Sequence, residues 1–446
     1  MSPLLNTGNI PLIGDTHLSH LLWADDLVLM ALDLASVQRL FSIFVDYCKV
    51  WGLEVNMSKT NLVIFNKKSL KDNTDTVFLD SDPIATVESY TYLGLNLHMN
   101  GSVTSTVEAL RIKATRAMYA LWKFIERDCL SFKALMNLFT TLIKPILSYG
   151  AAIWGPLQPV STALKNTWTH GADLTNLVAK MARDPPETVH LKYLKWSLGV
   201  HKFASNIGCW GESGTLPAID FNIRQSLKYL KRLEGLDEHL LVKKALEDQV
   251  ALNLSWYSSI NCIRNNLGDN IDPKQPLGKI FQDAWSFSLQ KQSKLDFYYK
   301  TKPNFITCPE GYLSVIPNYH HRSTITRLRI SSHHLAVETG RYEGKERKDR
   351  ICATCDAGEV DNEDHFISSC SSVTSERAKL RCSLHIVNEL ITLDAASVFR
   401  LMSVTPEAMD VNQKGHLQQI GKCIHNMYAR KLEILKELKD AVSEVI

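Results

Sequence analysis

The stretch LLWADDLVLMA at residues 21–31 places two adjacent aspartates inside an apolar run. Its outline predicts a β-hairpin whose turn holds Asp25 and Asp26. Aspartate is a common turn residue, so a solvated turn is one interpretation. The apolar flanks and the absence of glycine favour a turn that is held against a core. Two carboxylates in such a place need a cation, and oxygen ligands suit Mg²⁺, so the stretch predicts a magnesium site.

The residues after this hairpin predict a covering helix and further strands. Asp33 or Ser36 is a candidate N-cap, and Gly52 is expected to end the helix. The helix has one apolar stripe, formed by Val37, Leu40, Phe41, Phe44, Val45 and Cys48. The run at 62–65 and the stretch YTYLGLNL at 90–97 each predict one more strand. These elements form half of an α+β sheet domain, which ends at the turn predicted for Asn100-Gly101.

The following section, 101–155, is predicted to be helical and locally basic. Residues 101–150 contain seven Lys or Arg against three Asp or Glu. At helical spacing, Lys113, Arg116 and Lys123 share one side, opposite an apolar face of Val107, Leu110, Ala114, Met118 and Leu121. Such a basic side is either a solvated helix face or a surface that follows nucleic-acid phosphates.

A second chemical pattern is CATCDAGEVDNEDHFISSC, in which Cys352, Cys355, His365 and Cys370 have the spacing C-x2-C-x9-H-x4-C. Thiolate and imidazole ligands at this spacing predict a zinc site. The alternative is four unrelated reduced side chains. Because all four positions of a tetrahedral site would be filled, the zinc is expected to be structural rather than hydrolytic.

The segment before this pattern is also basic. Residues 322–350 contain eight Lys or Arg against four Asp or Glu, which predicts that Arg322, Arg327 and Arg329 contact RNA or DNA phosphates. His333 and His334 are expected to be packed or exposed rather than metal ligands. A last helix is predicted from about residue 413 to 445.

The middle of the chain, 156–310, is predicted to be helical, with linkers at GPLQPV (155–160) and ARDPPETVH (182–190). Trp196 and Trp210 lie in apolar segments and are expected to be packing residues. The formal net charge is only +3, which excludes a uniformly basic nucleic-acid binder. The ten cysteines are mostly scattered, as is typical of a reducing, intracellular compartment, and no stretch predicts a membrane span.

Several of these stretches, in order, resemble the carboxyl-terminal part of the reverse transcriptase of LINE-type (non-LTR) retrotransposons. WADDLVLMA is similar to the family's YADD motif C, with Trp23 in the place of the usual tyrosine. GLEVNMSKT is similar to motif D and YLGL to motif E. KPILSYGAAIWG (144–155) and KWSLGVHKFASNIGCWGESGTLPAIDFNI (195–223) resemble thumb and post-thumb segments. ITRLRISSHHLAVETGRYEGKERKDRICATC (325–355) resembles the region before the family's terminal zinc knuckle.

The resemblance implies a partial polymerase palm, an antiparallel sheet with a covering helix, followed by a mainly helical thumb and post-thumb region and a small zinc knuckle. The expected parts are a palm at 1–100, a thumb at 101–155, a post-thumb region at 156–318, a basic segment with the CCHC knuckle at 319–380 and a helical segment at 381–446. Asp25 and Asp26 would bind Mg²⁺ for nucleotidyl transfer by a two-metal mechanism. Lys59 would protonate the leaving pyrophosphate, and Trp23 would line the primer terminus.

The family's upstream palm aspartate and fingers are not found before Asp25, so a fragment that is inactive alone is expected. RNA and DNA primer-template and the upstream half of the polyprotein are the expected partners. Two alternatives remain. The chain is a non-catalytic nucleic-acid-binding protein derived from such an element, or it is the unselected product of a decayed copy.

Overall fold

The structure, a computed structural model, describes residues 9–65, 76–79, 82–170, 173–268, 272–387 and 393–443. These residues form a mixed, mostly helical fold with small sheets. They divide into two compact units. Unit 1 comprises residues 1–110, 149–165 and 222–269, and unit 2 comprises residues 111–148, 166–221 and 270–446.

The strands are short and all lie in unit 1 among the described residues. They are β1 Leu12–Ile13, β2 Thr16–His17, β3 His20–Trp23, β4 Asp26–Leu29, β5 Asn61–Leu62, β6 Phe78–Leu79, β7 Asp82–Pro83, β8 Ala85–Thr86, β9 Ser89–Tyr92 and β10 Leu95–His98. They form five two-stranded pairs, of which β5–β8 is parallel and the other four are antiparallel. The prediction of one antiparallel sheet is therefore wrong for the described residues.

The hairpin predicted at 21–31 is present. Strands β3 and β4 pair from His20 with Leu29 to Trp23 with Asp26. The connection is the two-residue loop Ala24-Asp25, and Ala24 has a φ of 55°. A positive φ is what the tight turns of two-residue hairpins require, so the chain accepts backbone strain here to reverse its direction.

The covering helix follows the predicted limits. In α1, Leu34–Trp51, the Asp33 carboxylate caps the first turn by accepting the Ser36 N–H at 2.8 Å. Gly52 ends the helix in the left-handed conformation. Phe41 and Val45 bury one face of the helix against Val77 and Ile84, which is the core that supports the β-pairs of unit 1.

The stretch 90–97 forms two strands instead of the single strand predicted. Leu93 and Gly94 both have positive φ, 46° and 80°, and form the turn between β9 and β10. Two consecutive residues with positive φ give the turn whose twist matches a hairpin, and glycine supplies one of them without steric cost.

The remaining helices begin after the predicted turn at Asn100-Gly101. They are α2 Thr104–Phe124, α3 Phe132–Leu138, α4 Lys144–Leu147, α5 Ala151–Trp154, α6 Pro159–His170, α7 Leu174–Arg183, α8 Pro185–Leu198, α9 Asn206–Ser213, α10 Ala218–Glu234, α11 Leu241–Ala251, α12 Ser255–Leu267, α13 Gly278–Gln290, α14 Asp296–Thr301, α15 Gly311–Val315, α16 Tyr319–Arg329, α17 Ala336–Tyr342, α18 Thr374–Val387, α19 Ala395–Leu401 and α20 Val411–Ser443. None of the helices in the described part of the chain is long and apolar enough to cross a membrane.

Both segments predicted as linkers are helical. Gly155–Leu157 forms a 3-10 turn that leads into α6, and Pro185 and Pro186 occupy the first positions of α8. Proline is tolerated at the start of a helix because the first N–H groups have no partner inside the helix. These prolines therefore lie at the starts of helices and do not mark linkers between domains.

The core of unit 2 forms around the end of α2. Ala114 and Met118 pack with Phe139, Ile143 and Tyr193 in one buried cluster. Trp196 is partly buried and stacks on Trp122 with ring centroids 5.0 Å apart, whereas Trp210 is fully buried. The expectation that both predicted tryptophans are packing residues is confirmed.

Candidate metal centre and nucleic-acid interface

Cys352, Cys355, His365 and Cys370 come together in unit 2. Their candidate ligand atoms all lie within 4.8 Å of one another. The sulfurs of Cys352 and Cys370 are 3.8 Å apart, and the sulfur of Cys355 is 3.3 Å from Nε2 of His365. Around a tetrahedral zinc with Zn–S of about 2.3 Å and Zn–N of about 2.0–2.1 Å, neighbouring ligand atoms lie roughly 3.5–3.8 Å apart. The cluster therefore fits a zinc ion, and four protein ligands would give a closed, structural site.

The backbone around the two first cysteines explains how they converge. Ile351 and Val360 form an antiparallel bridge, and the Cys352 N–H donates to the Glu359 carbonyl at 2.9 Å. Gly358 lies between them with a φ of 63° and lets the loop reverse. This narrow loop brings the two sulfurs together. His365 is the first residue of one turn of π-helix, His365–Ser369, and Cys370 follows directly after it.

The imidazole of His365 is fixed by acceptors on its other side. Nδ1 lies 2.6 Å from the Glu359 carboxylate and 3.0 Å from the Ser369 hydroxyl, which leaves Nε2 for the cluster. The hydrogen bonds from His365 and Ser369 lower the pKa of Glu359, so this carboxylate is an acceptor. A carboxylate behind a histidine is a common support of metal ligation because it fixes the tautomer and the ring orientation.

A buried lysine touches the sulfur side of the cluster. Nζ of Lys431, in α20, lies 3.2 Å from the Cys352 sulfur, 3.6 Å from the Cys370 sulfur and 2.6 Å from the Asp361 carboxylate. Burial would lower the pKa of Lys431, but the charge of Asp361 opposes it and the pKa is raised. The place of Lys431 beside the cluster was not predicted from the sequence. The available signal was its position, because Lys431 continues the buried stripe of Leu417, Ile420, Ile424, Met427 and Tyr428.

The hairpin at Asp25 and Asp26 is placed differently from expectation. Both aspartates are exposed, and Trp23 is 67% exposed, so the turn is not held against a core in unit 1. Water can solvate the two carboxylates, so the predicted burial of this turn is wrong and does not require a cation here. Within the described residues, no third metal-ligating side chain joins this pair at ligand distance. Lys59 is exposed in a turn shortly before β5.

The basic face of α2 lies in unit 2, and its three cations share one side of the helix as the spacing predicted. Lys113, Arg116 and Lys123 are exposed, while Ala114 and Met118 on the other side are fully buried. These three cations are open to solvent and are available to a polyanion.

Two of the three arginines predicted in the basic segment are buried, and their assignment to phosphates is wrong. Nη1 of Arg322 donates to the Pro317 carbonyl at 2.6 Å. Arg329 is fully buried, and its Nε and Nη2 contact the carboxylates of Glu212 and Glu310 at 2.9 and 2.8 Å. Both arginines hold unit 2 together from within. Arg327 is half-buried and donates to the Gly199 carbonyl at 2.7 Å.

Replacing Arg329 by methionine is expected to destabilise unit 2 by about 3–5 kcal/mol, because the buried Glu212 carboxylate loses its cation. The matched control is Arg347→Met, which removes an exposed ion pair with Asp296 at 3.5 Å and is expected to cost at most about 1 kcal/mol. Urea unfolding followed by tryptophan fluorescence measures both. Equal urea midpoints for the two variants would show that the buried network does not stabilise the fold.

Comparison with known proteins shows similarity to transposon proteins. No protein-family model matches it. A transposon-derived protein of Caenorhabditis elegans is 26% identical over 147 residues, which is 32% of this chain and 50% of the relative. Two Drosophila melanogaster proteins described as RNA-directed DNA polymerases are also similar. That of transposon BS is 24% identical over 172 residues, 38% of this chain and 18% of the relative. That of the X-element is 26% identical over 114 residues, 25% of this chain and 12% of the relative. The matches thus span half or less of each relative's length.

Proposed function

We propose that this chain is part of a reverse transcriptase of a non-LTR retrotransposon, and that it contributes nucleic-acid binding and part of the catalytic metal site. The observation that carries this proposal is the hairpin β3–β4, which presents the exposed carboxylates of Asp25 and Asp26 at its turn. The similarity to two transposon proteins named RNA-directed DNA polymerases supports the same origin.

In the proposed reaction, a primer hydroxyl attacks the α-phosphorus of a deoxynucleoside triphosphate and pyrophosphate leaves. Mg²⁺ would supply charge stabilisation at the entering and leaving oxygens. Asp25 would be the main ligand of the pair, and Asp26 would orient it. Lys59, on an exposed turn, would give a proton to the leaving pyrophosphate, and the exposed indole of Trp23 would meet the primer end.

Nucleic acid would be bound by the exposed cations of α2. Lys113, Arg116 and Lys123 lie on the solvent side of a helix whose other face is anchored in the unit 2 core. A rigid helix with cations at this spacing suits contacts with successive phosphates of a duplex. The zinc site would keep the segment after α17 folded and would have no part in the chemistry.

We expect the chain alone not to extend a primer on an RNA template in the presence of Mg²⁺ and the four deoxynucleotides. Both carboxylates come from one turn, and a two-metal site needs ligands from more than one strand to hold the triphosphate in register. Extension is expected once upstream in-frame residues are joined to the chain, and it should then fall below detection in Asp25→Ala. Asp46→Ala, an exposed acid of α1, is the matched control and should leave extension unchanged.

Two results would contradict this proposal. Extension by the present chain that is lost in Asp25→Ala would mean that the site is complete within these residues or in a second copy. Extension by the lengthened chain that survives Asp25→Ala would mean that the hairpin is not part of the metal site.

A second candidate function is nucleic-acid binding without catalysis. It is favoured by one contrast within the chain. The zinc cluster assembles all four of its ligands, whereas the aspartate pair is solvated and stands without a further ligand among the described residues. Salt-sensitive binding of nucleic acid, together with inactivity of the lengthened chain, would select this function.

A further inference from the structure

The zinc cluster and the last helix of the chain share one buried charge. Lys431 lies in the middle of α20 and is completely inaccessible to solvent. Its ammonium group faces two of the cluster sulfurs, those of Cys352 and Cys370, and the Asp361 carboxylate. The Phe366 ring lies 5.9 Å from Nζ.

A buried ammonium is costly unless anions compensate it. Asp361 supplies an acceptor for only one of the three N–H donors of the ammonium group, because its other oxygen accepts the Ala336 N–H at 2.9 Å, at the start of α17. The sulfurs of Cys352 and Cys370 are the further acceptors within reach of Nζ. An ion-pair interpretation that includes Asp361 alone therefore leaves two of the three close contacts unexplained.

The charge count supports the same conclusion. Three thiolates, a neutral imidazole and one Zn²⁺ leave the filled cluster with a net charge of −1. Asp361 adds a second negative charge, so the single ammonium group of Lys431 reduces the net charge of this buried group from −2 to −1 in a place where water cannot compensate it. Charge-assisted N–H···S contacts also draw electron density from the sulfurs, which makes them poorer nucleophiles.

We propose that Lys431 is a positioning residue of the metal site, whose ammonium group holds the sulfurs of Cys352 and Cys370 in place and thereby slows the loss of zinc. This inference rests on the proposed zinc site. It makes α20 part of the metal site, although the helix supplies no ligand and its lysine lies 61 residues beyond the last ligand.

The test measures zinc release from the full chain after addition of excess chelator. Lys431→Met keeps most of the length of the side chain and removes the charge. It is expected to release zinc about 10–100-fold faster, in line with the usual loss of affinity when a group that supports a metal ligand is removed. Lys436→Met, an exposed lysine of the same helix, is the matched control and should release zinc at the wild-type rate. Alkylation of the cluster thiols by N-ethylmaleimide should accelerate in parallel.

Two more variants distinguish the effect of the contacts between Lys431 and the sulfurs from that of its ion pair with Asp361. Lys431→Arg keeps the charge and should restore slow release. Asp361→Asn removes the carboxylate charge but leaves the ammonium beside the sulfurs, so it should also release zinc slowly. This variant keeps the proposal testable if Lys431→Met does not fold.

The outcomes are distinct. Wild-type release from folded Lys431→Met would overturn the inference and leave the zinc site intact. Release from Asp361→Asn faster than from the wild type would also overturn it, whether or not Lys431→Met folds, because the ammonium group beside the sulfurs would then not be sufficient for slow release. A wild-type chain that binds no zinc would refute the zinc site itself, and this inference with it.

Discussion

A Cys352→Ser, Cys355→Ser double variant is expected to lose its zinc completely, whereas the unchanged chain should contain about one zinc per molecule. Serine does not ionise to a ligand at neutral pH, so two corners of the tetrahedron would be lost. The ligation of so small a loop is coupled to its folding, with apparent binding free energies of about 10–16 kcal/mol in comparable peptides. Residues 345–375 should therefore become sensitive to protease.

The control for this prediction exchanges two cysteines outside the cluster. Cys129 and Cys382 are exposed, and their double serine variant should keep the metal and the protease pattern of the unchanged chain. Metal analysis of the purified proteins and limited proteolysis measure both effects. Stoichiometric zinc in the Cys352→Ser, Cys355→Ser variant would contradict the ligand assignment.

The features that the sequence predicted correctly depend on neighbours along the chain. The hairpin at 21–31, the Asp33 cap, the Gly52 stop and the convergence of the four cysteine and histidine ligands all arise within about twenty residues. Alternation, capping and ligand spacing act over such distances, so a local pattern is sufficient to indicate them.

The features that were predicted wrongly depend on distant partners. Arg329 has the sequence context of a phosphate-binding arginine, but Glu212, 117 residues earlier, pairs with it inside unit 2. Whether the Asp25-Asp26 turn is exposed depends on what packs beside the hairpin. The apolar residues on either side of the turn do not indicate this. In the sequence, Lys431 is one more charged residue of a helix that alternates apolar and charged residues. Its contact with the Cys352 sulfur is visible only in the structure.

The helical start at Pro185 is an intermediate case. Two consecutive prolines are common in linkers and also at the first turn of a helix. The buried side of α8, which includes Val189 and Tyr193, selects the helix. Apolar spacing after the prolines was present in the sequence and would have favoured the correct interpretation.

Reversal of the basic face of α2 is the second large effect that we expect. In a Lys113→Glu, Arg116→Glu, Lys123→Glu variant, three cations that would contact phosphates become anions. Each lost contact lowers the steepness of the plot of log affinity against log salt by about 0.9, so the slope should decrease by about 3. The counterion effect disappears towards roughly 1 M salt, so the affinities of the variant and the unchanged chain should converge there. At 0.2 M salt, the variant should therefore bind on the order of 100-fold more weakly than the unchanged chain.

A matched variant separates this surface from overall charge. Lys228, Lys231 and Arg232 form another exposed basic side, on α10, and their exchange for glutamate changes the net charge of the chain by the same amount. We expect this variant to keep most of the wild-type affinity, because long-range charge is largely screened at 0.2 M salt.

Nucleic-acid binding by this chain is measured most directly as the binding of an RNA–DNA primer-template duplex to the full chain, by fluorescence anisotropy between 0.05 and 0.3 M salt. Contact of the basic face of α2 with phosphates predicts steep salt dependence for the unchanged chain, nearly the same for the α10 variant, and weak binding with shallow salt dependence for the α2 variant. Equal binding by the α2 variant and the unchanged chain, or no binding by any of the three proteins, would contradict it.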